Sequence, residues 1–104
     1  MNHLSFNERC YELLKTVPKG KVTTYKILAN ALGTKAYRAV GNAMKNNPNI
    51  PKVPCHRVVN SNGELGGYLH GIDVKIELLE KEGIKIKNGK IVDFEKVLYE
   101  FIHS

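Results

Sequence analysis

The chain has 104 residues, 42% hydrophobic and 25% charged, a size and make-up that fit one soluble globular domain with one core and exclude two. No apolar run is long enough to span a bilayer, and Met1-Asn2-His3-Leu4-Ser5 is no signal-peptide start, so a cytoplasmic location is the expectation. The net charge of +6 is lopsided: residues 1–60 carry ten Lys or Arg against two acids (+8), and residues 61–104 carry six against eight (−2).

A basic half presents a field that attracts polyanions such as nucleic acid, and it equally describes a solvated, lysine-rich surface. The two cysteines, Cys10 and Cys55, have no CxxC or Cys/His spacing around them, which speaks against zinc.

Ser5-Phe6-Asn7-Glu8 reads as a capping box, and Phe6, Cys10, Leu13 and Leu14 follow at helical spacing, predicting a first helix that ends near Val17-Pro18. Cys10 falls on the apolar stripe of that helix and is read as a small buried hydrophobe. Lys21 to Thr24 is a short extended stretch, and Tyr25 to Leu32 forms a second helix closed by Gly33. A third helix runs from about Ala36 to Asn46, stopped by Asn47-Pro48, so that two short helices around a Gly-containing turn make a helix-turn-helix unit. The three prolines between Asn47 and Pro54 rule out a regular element there.

Further along, Val58-Val59 and Glu64-Leu65 flank Ser61-Asn62-Gly63 as a small hairpin. A fourth helix is expected over Ile72 to Glu82 with Gly83 past its end, then a hairpin of Ile84–Ile86 and Ile91-Val92 around Asn88-Gly89. Asp93 is expected to cap a last helix carrying Phe94, Val97, Leu98 and Phe101. These elements make the fold class mainly α with small β-hairpins, and a winged-helix-like DNA-binding domain built on the helix-turn-helix is the expectation.

On the third helix Val40, Ala43 and Met44 suit a core, whereas Arg38, Asn42 and Lys45 form an outward polar stripe. The small residues Ala36, Ala39 and Gly41 let a partner approach closely; an amphipathic surface helix shows the same division. Cys55 stands between Pro54 and His56. Neighbours on an extended segment point opposite ways, so His56 serves as a base for the thiol only if the backbone turns there or through a bridging water. Glu82 sits in the last turn of its helix, where the dipole disfavours an anion; it is either free and exposed or held by a cationic or hydrogen-bonding partner such as His56.

Pro54-Cys55-His56-Arg57-Val58 resembles the signature of the O6-alkylguanine-DNA alkyltransferases, the methylated-DNA–protein-cysteine methyltransferases. The resemblance extends to Val17–Tyr25 as the lead into the helix-turn-helix and to Arg38–Met44 as the recognition helix. Asn47-Pro48, Gly67-Tyr68, Lys75, Leu78-Leu79 and Glu82-Gly83 follow in the family's order, so the likeness covers about residues 6–84.

It implies a DNA-repair protein that binds duplex DNA, rotates an O6-alkylguanine (or O4-alkylthymine) out of the stack and moves the alkyl group irreversibly onto Cys55. His56 would take the thiol proton through a water, with Glu82 orienting it and Asn47 holding the loop. Tyr25 would sit by the target phosphate and protonate the departing base. Arg38 would fill the gap left by the base, and Ala36, Ala39, Gly41, Asn42 and Lys45 would lie along the DNA, in the minor groove. Tyr68 would form a pocket wall with Leu69, His70 and Val58.

Leu69 and His70 stand where the family often has a small hydroxyl residue and a glycine or bulky aromatic. The chain reads as the family's C-terminal catalytic domain alone, 1–104, with 85–104 as an extension. A monomer with no metal or organic cofactor is implied. The rivals are an alkyltransferase-like protein that binds lesions without transfer, against which Cys55 argues, and a helix-turn-helix transcription regulator.

Overall fold

The computed structural model describes residues 4–49 and 52–101. Ile50 and Pro51, within the segment expected to be irregular, lie outside the described residues, as do positions 1–3 and 102–104.

Helix α1 (Phe6–Leu14) begins at the reciprocal cap the sequence announces: the Glu8 amide donates to Ser5 Oγ and the Ser5 amide to Glu8 Oε1, both at 3.1 Å. It stops three residues before Val17 because Pro18 disfavours the α region for the residue ahead of it; Thr16 and Val17 instead close i→i+3 turns onto Leu13 and Leu14. After strand β1 (Thr23–Thr24), Thr24 Oγ1 caps helix α2 (Tyr25–Ala31) by accepting from the Ile27 amide at 2.9 Å. Gly33, at φ +76°, ends the helix, and the Thr34 amide folds back onto the Ala29 carbonyl at 3.0 Å. Helix α3 (Tyr37–Lys45) then packs across α1 and α2, completing the helix-turn-helix.

The first hairpin forms differently from the sequence expectation. The turn is present, with the Asn60 amide bonded to the Glu64 carbonyl at 2.9 Å. Strand β2 (Val58–Val59), however, pairs in parallel with β1, Thr23 opposite Val58 and Thr24 opposite Val59. Glu64 instead bridges to Lys90. Two consecutive valines, both fully buried, require apolar cover on both faces, and a solvent-facing hairpin arm cannot give it.

Helix α4 (Ile72–Lys81) is followed by the antiparallel hairpin β3 (Ile86–Lys87) and β4 (Lys90–Ile91), where Asn88 and Gly89 both take the positive φ that such a two-residue turn demands. The last helix is a further correction: α5 covers only Phe94–Val97, and Asp93, at φ +54°, makes no side-chain cap. The chain then extends, because the buried Val22 needs backbone partners; its amide donates to the Val97 carbonyl at 2.9 Å and its carbonyl accepts from the Tyr99 amide at 2.7 Å.

Two hydrophobic clusters result. One joins α1, α2 and α3 with Val53, Cys55 and Val58; the other gathers Val22, Val59, Leu65, Leu79, Ile84 and Ile91. The alternation of β2 sends Val58 into the first and Val59 into the second, which ties the helical half to the α4 half at the residues right after Cys55. No helix among the described residues is long and apolar enough to cross a membrane.

Candidate active site

Cys55, His56 and Arg57 form a single 3-10 turn between the proline-rich segment and β2. The backbone thus turns at the Cys55-His56 pair and does not run extended there. Asn47 braces the approach: its Nδ2 donates to the Val53 carbonyl at 2.8 Å and its Oδ1 accepts from the Asn49 amide at 3.0 Å.

Glu82, at the C-terminal end of α4, is held by two residues of the 3-10 turn. Arg57 grips it with Nε to Oε1 at 2.9 Å and Nη2 to Oε2 at 2.6 Å, and its Nη1 reaches the Val17 carbonyl at 2.8 Å. His56 Nε2 lies 3.0 Å from the same Oε2. Burial pushes the Glu82 carboxyl up, but the hydrogen bonds from Arg57 and His56 outweigh it and hold the group below the usual carboxylate range. An ionised carboxylate only accepts, so His56 Nε2 carries the hydrogen and Nδ1 carries the lone pair. Nδ1 is buried without a partner among the described residues. Burial also depresses the His56 pKa, against the opposing pull of Glu82, so the ring is neutral at pH 7.

The Cys55 thiol is pushed above its ordinary value by burial; Asn47, Lys75 and Tyr68 pull it back only in part. At rest it is therefore a thiol. Cys10 differs. It is fully buried on α1, and burial lifts its thiol to about 11.

Cys55 forms part of the wall of a cavity of about 110 Å³ with Tyr25, Gly41, Met44, Lys45, Gly67, Tyr68 and Leu69. Burial and the neighbouring Cys55 keep the Tyr25 and Tyr68 hydroxyls protonated, Tyr68 up to about 12. Tyr25 and Gly41 also line a shallower groove of about 500 Å³, together with Lys26, Tyr37, Arg38, Asn60 and Ser61. Arg38, Asn42 and Lys45 are exposed on α3, Ala36 is exposed at its start, and Ala39 is half-buried. A Cβ built on Gly41 meets nothing within 4 Å.

Two residues of the anticipated pocket wall stand elsewhere. His70 is exposed and turns its ring edge-on to Tyr68 at 5.9 Å, outside the cavity lining. Val58 is fully buried in the helical cluster, as its place on a two-sided strand requires.

Two other residues emerge only in the structure as parts of the framework. Arg57 fixes Glu82 more firmly than His56 does, and the hint in the sequence was a guanidinium two positions after the cysteine in an otherwise apolar stretch. Lys75 is fully buried, and its Nζ donates to the carbonyls of Val58 (2.7 Å), Leu65 (2.5 Å) and Gly67 (3.1 Å). Burial lowers its pKa to about 8. It ties β2 to the strand-like segment before the pocket and fixes Gly67, from which Tyr68 and Leu69 project. Its position one helical turn before Leu79 on the apolar stripe of α4 was the legible sign.

A helix-turn-helix sits beside a turn that holds a buried cysteine and a histidine bonded to a glutamate. Residues 5–84 match the family described as 6-O-methylguanine DNA methyltransferase, DNA binding domain, and the chain belongs to that family. It is 49% identical over 87 residues to a methylated-DNA–protein-cysteine methyltransferase of Metallosphaera sedula, covering 84% of this chain and 54% of that protein. Among solved structures it resembles the O6-methylguanine-DNA methyltransferase of Pyrococcus kodakaraensis KOD1 at 51% identity and a TM-score of 0.72, over 78% of this chain and 47% of that one. Schizosaccharomyces pombe Atl1, solved with damaged DNA containing O6-carboxymethylguanine, is 29% identical with a TM-score of 0.82, over 96% of this chain and 99% of that one. The chain spans between 31% and 54% of the length of the first curated relatives it matches.

Proposed function

We propose that this protein repairs DNA by moving an alkyl group from O6-alkylguanine in a duplex onto Cys55, once per molecule. The observation that carries this reading is the position of Cys55. Cys55 lines a small cavity that shares Tyr25 and Gly41 with the groove along α3, and its turn is linked through His56 to Glu82.

DNA would lie along α3, where Arg38, Asn42 and Lys45 are exposed and the small residues 36, 39 and 41 leave room for the minor groove. A base stacked in the helix cannot meet a buried sulfur, so the damaged guanine has to turn out into the cavity while Arg38 enters the stack in its place. His56 Nδ1 accepts the thiol proton through a bridging water, and Glu82 stabilises the imidazolium that forms. The sulfur attacks the alkyl carbon in line with the C–O6 bond. A C–S bond forms, the C–O6 bond breaks with its electron pair passing to the guanine, and the departing base takes a proton from the Tyr25 hydroxyl. The thioether has no good leaving group, so the site is used once.

We read the chain as one catalytic and DNA-binding unit, with residues 85–101 packed into the same fold through Ile91 and the Val22 pairing.

A second reading draws on the near full-length likeness to Atl1: a protein that grips the lesion without transferring it. The presence of Cys55 at the cavity favours transfer. The test is a titration of duplex containing O6-methylguanine against a fixed amount of protein. Transfer requires lesion loss that stops at one equivalent and is absent in Cys55→Ser. Tight binding with no lesion loss favours the second reading.

A further inference from the structure

Tyr37, the first residue of α3, is 40% exposed and belongs to neither hydrophobic cluster. Its ring makes no aromatic pair among the described residues. One helical turn separates it from Gly41, and both line the groove that runs from the cavity past Tyr25 and Arg38. Among the described residues neither hydrophobic cluster uses its large aromatic side chain, and alanine would favour the helix more. The ring is at the outer end of the surface on which the DNA would lie, one residue before the arginine that would replace the extruded base.

We propose that Tyr37 is a stacking residue that packs its ring on the nucleotide beside the lesion, holding the duplex open on one side while Arg38 occupies the gap. An aromatic face stacks on any base, so the contribution is to affinity and to the lifetime of the flipped state, with little preference among sequences. Tyr37 touches no reacting atom. It is a positioning residue, and the inference rests on the reading of the groove as the DNA surface.

The test compares wild type, Tyr37→Phe and Tyr37→Ala, all of which keep α3 helical. Two substrates are used: duplex containing O6-methylguanine, and O6-methylguanine as the free base. Tyr37→Ala should bind the duplex about tenfold more weakly and transfer from it more slowly, with Tyr37→Phe close to wild type. Reaction with the free base should be the same in all three, because a free base needs no stacked neighbour.

A second arm replaces the nucleotide on each side of the lesion in turn with an abasic tetrahydrofuran. On one side this change should weaken wild type and leave Tyr37→Ala unaffected. Equal duplex binding by wild type and Tyr37→Ala overturns the inference, as does a loss that is independent of the flanking base on both sides, or one that extends to the free base. If wild type neither binds nor repairs the duplex, the reading of the groove fails before Tyr37 is tested.

Discussion

Arg57 and Glu82 form a two-point ion pair, Nε to Oε1 at 2.9 Å and Nη2 to Oε2 at 2.6 Å, that joins the turn containing Cys55 to the end of α4. Because Arg57 also reaches the Val17 carbonyl, one guanidinium holds together the end of the first helical segment, the active turn and the last turn of α4. The pair also decides the state of His56. By keeping Glu82 ionised, it obliges Nε2 to donate and leaves Nδ1 as the acceptor.

Removing the fork therefore affects both stability and chemistry. Arg57→Ala should lower unfolding free energy by about 3 kcal/mol, since it leaves a largely buried carboxylate without its main partner, and Arg57→Lys should recover only part of it because an ammonium cannot match the two oxygens. The Glu82 carboxyl is held below its unfolded value of 4.5. Its contribution is thus present above that pH and lost as pH falls through the lower folded value. Urea denaturation between pH 3 and 7 (roughly the window set by carboxylate titration) should show a steeper acid-side loss in wild type than in Glu82→Gln.

The pH profile of transfer follows from two opposite shifts. The Cys55 thiol is raised and the His56 ring is lowered, so near neutrality the sulfur holds its proton and the imidazole is free to take it. Single-turnover rates should be flat around pH 7 and fall only on the acid side of the ordinary imidazole range, where the ring, its pKa lowered by burial, becomes charged. In His56→Ala the rate should be lower throughout and climb toward alkaline pH, as direct ionisation of the raised thiol becomes the only route. A wild-type profile that keeps falling with decreasing pH from the alkaline side through neutrality would remove His56 from this role.

Gly41 offers a test that separates fold from function. It lies inside α3 at an ordinary helical φ, and an added Cβ meets no protein atom within 4 Å. Gly41→Ala should therefore raise stability by about 0.5–1 kcal/mol. The same methyl group projects where the cavity and the groove meet, so affinity for lesion-containing duplex should fall. Thermal melts and a binding titration on one preparation read both effects.

The segment after β4 makes a different prediction. Val97 and Tyr99 supply the backbone partners of Val22, while Tyr99 and Phe101 pack against the helical cluster with their rings edge-on at 5.3 Å. Ending the chain at Val92 should strip that cover three residues upstream of Tyr25, and cost about 3 kcal/mol or more through exposed apolar surface and unpaired buried backbone groups. Hydrogen exchange at the Val22 amide should change from protected to fast.

Much of this architecture was legible before any coordinates. The Ser5–Glu8 box, the Gly33 stop and the Asn88-Gly89 turn are local signals whose chemistry is complete within a few residues, and each forms where the sequence places it. The failures concern partners far away in the chain. Val58-Val59 looked like a hairpin arm because a good turn follows, but its buried partner is β1, 35 residues earlier, as in Thr23 opposite Val58. Phe94 to Phe101 has an apolar period that suits a helix, yet the unpaired backbone of Val22 draws its second half into an extended course.

The site divides along the same line. Cys55 and His56 announce themselves by adjacency. The role of Glu82 was left open between a free side chain and a bound one, and the structure shows it bound, chiefly by Arg57. Lys75 escaped notice as a tether because its three carbonyl partners lie on segments that only tertiary folding assembles.

The central claim is that Cys55 is an alkyl acceptor, and intact-protein mass measured after incubation with duplex DNA containing O6-methylguanine tests it most directly. The account predicts that each protein molecule gains one methyl group, that peptide mapping places it on Cys55, and that Cys10 stays unmodified. An unchanged mass under conditions where the protein binds the lesion, or a methyl group found on any other residue, would contradict it.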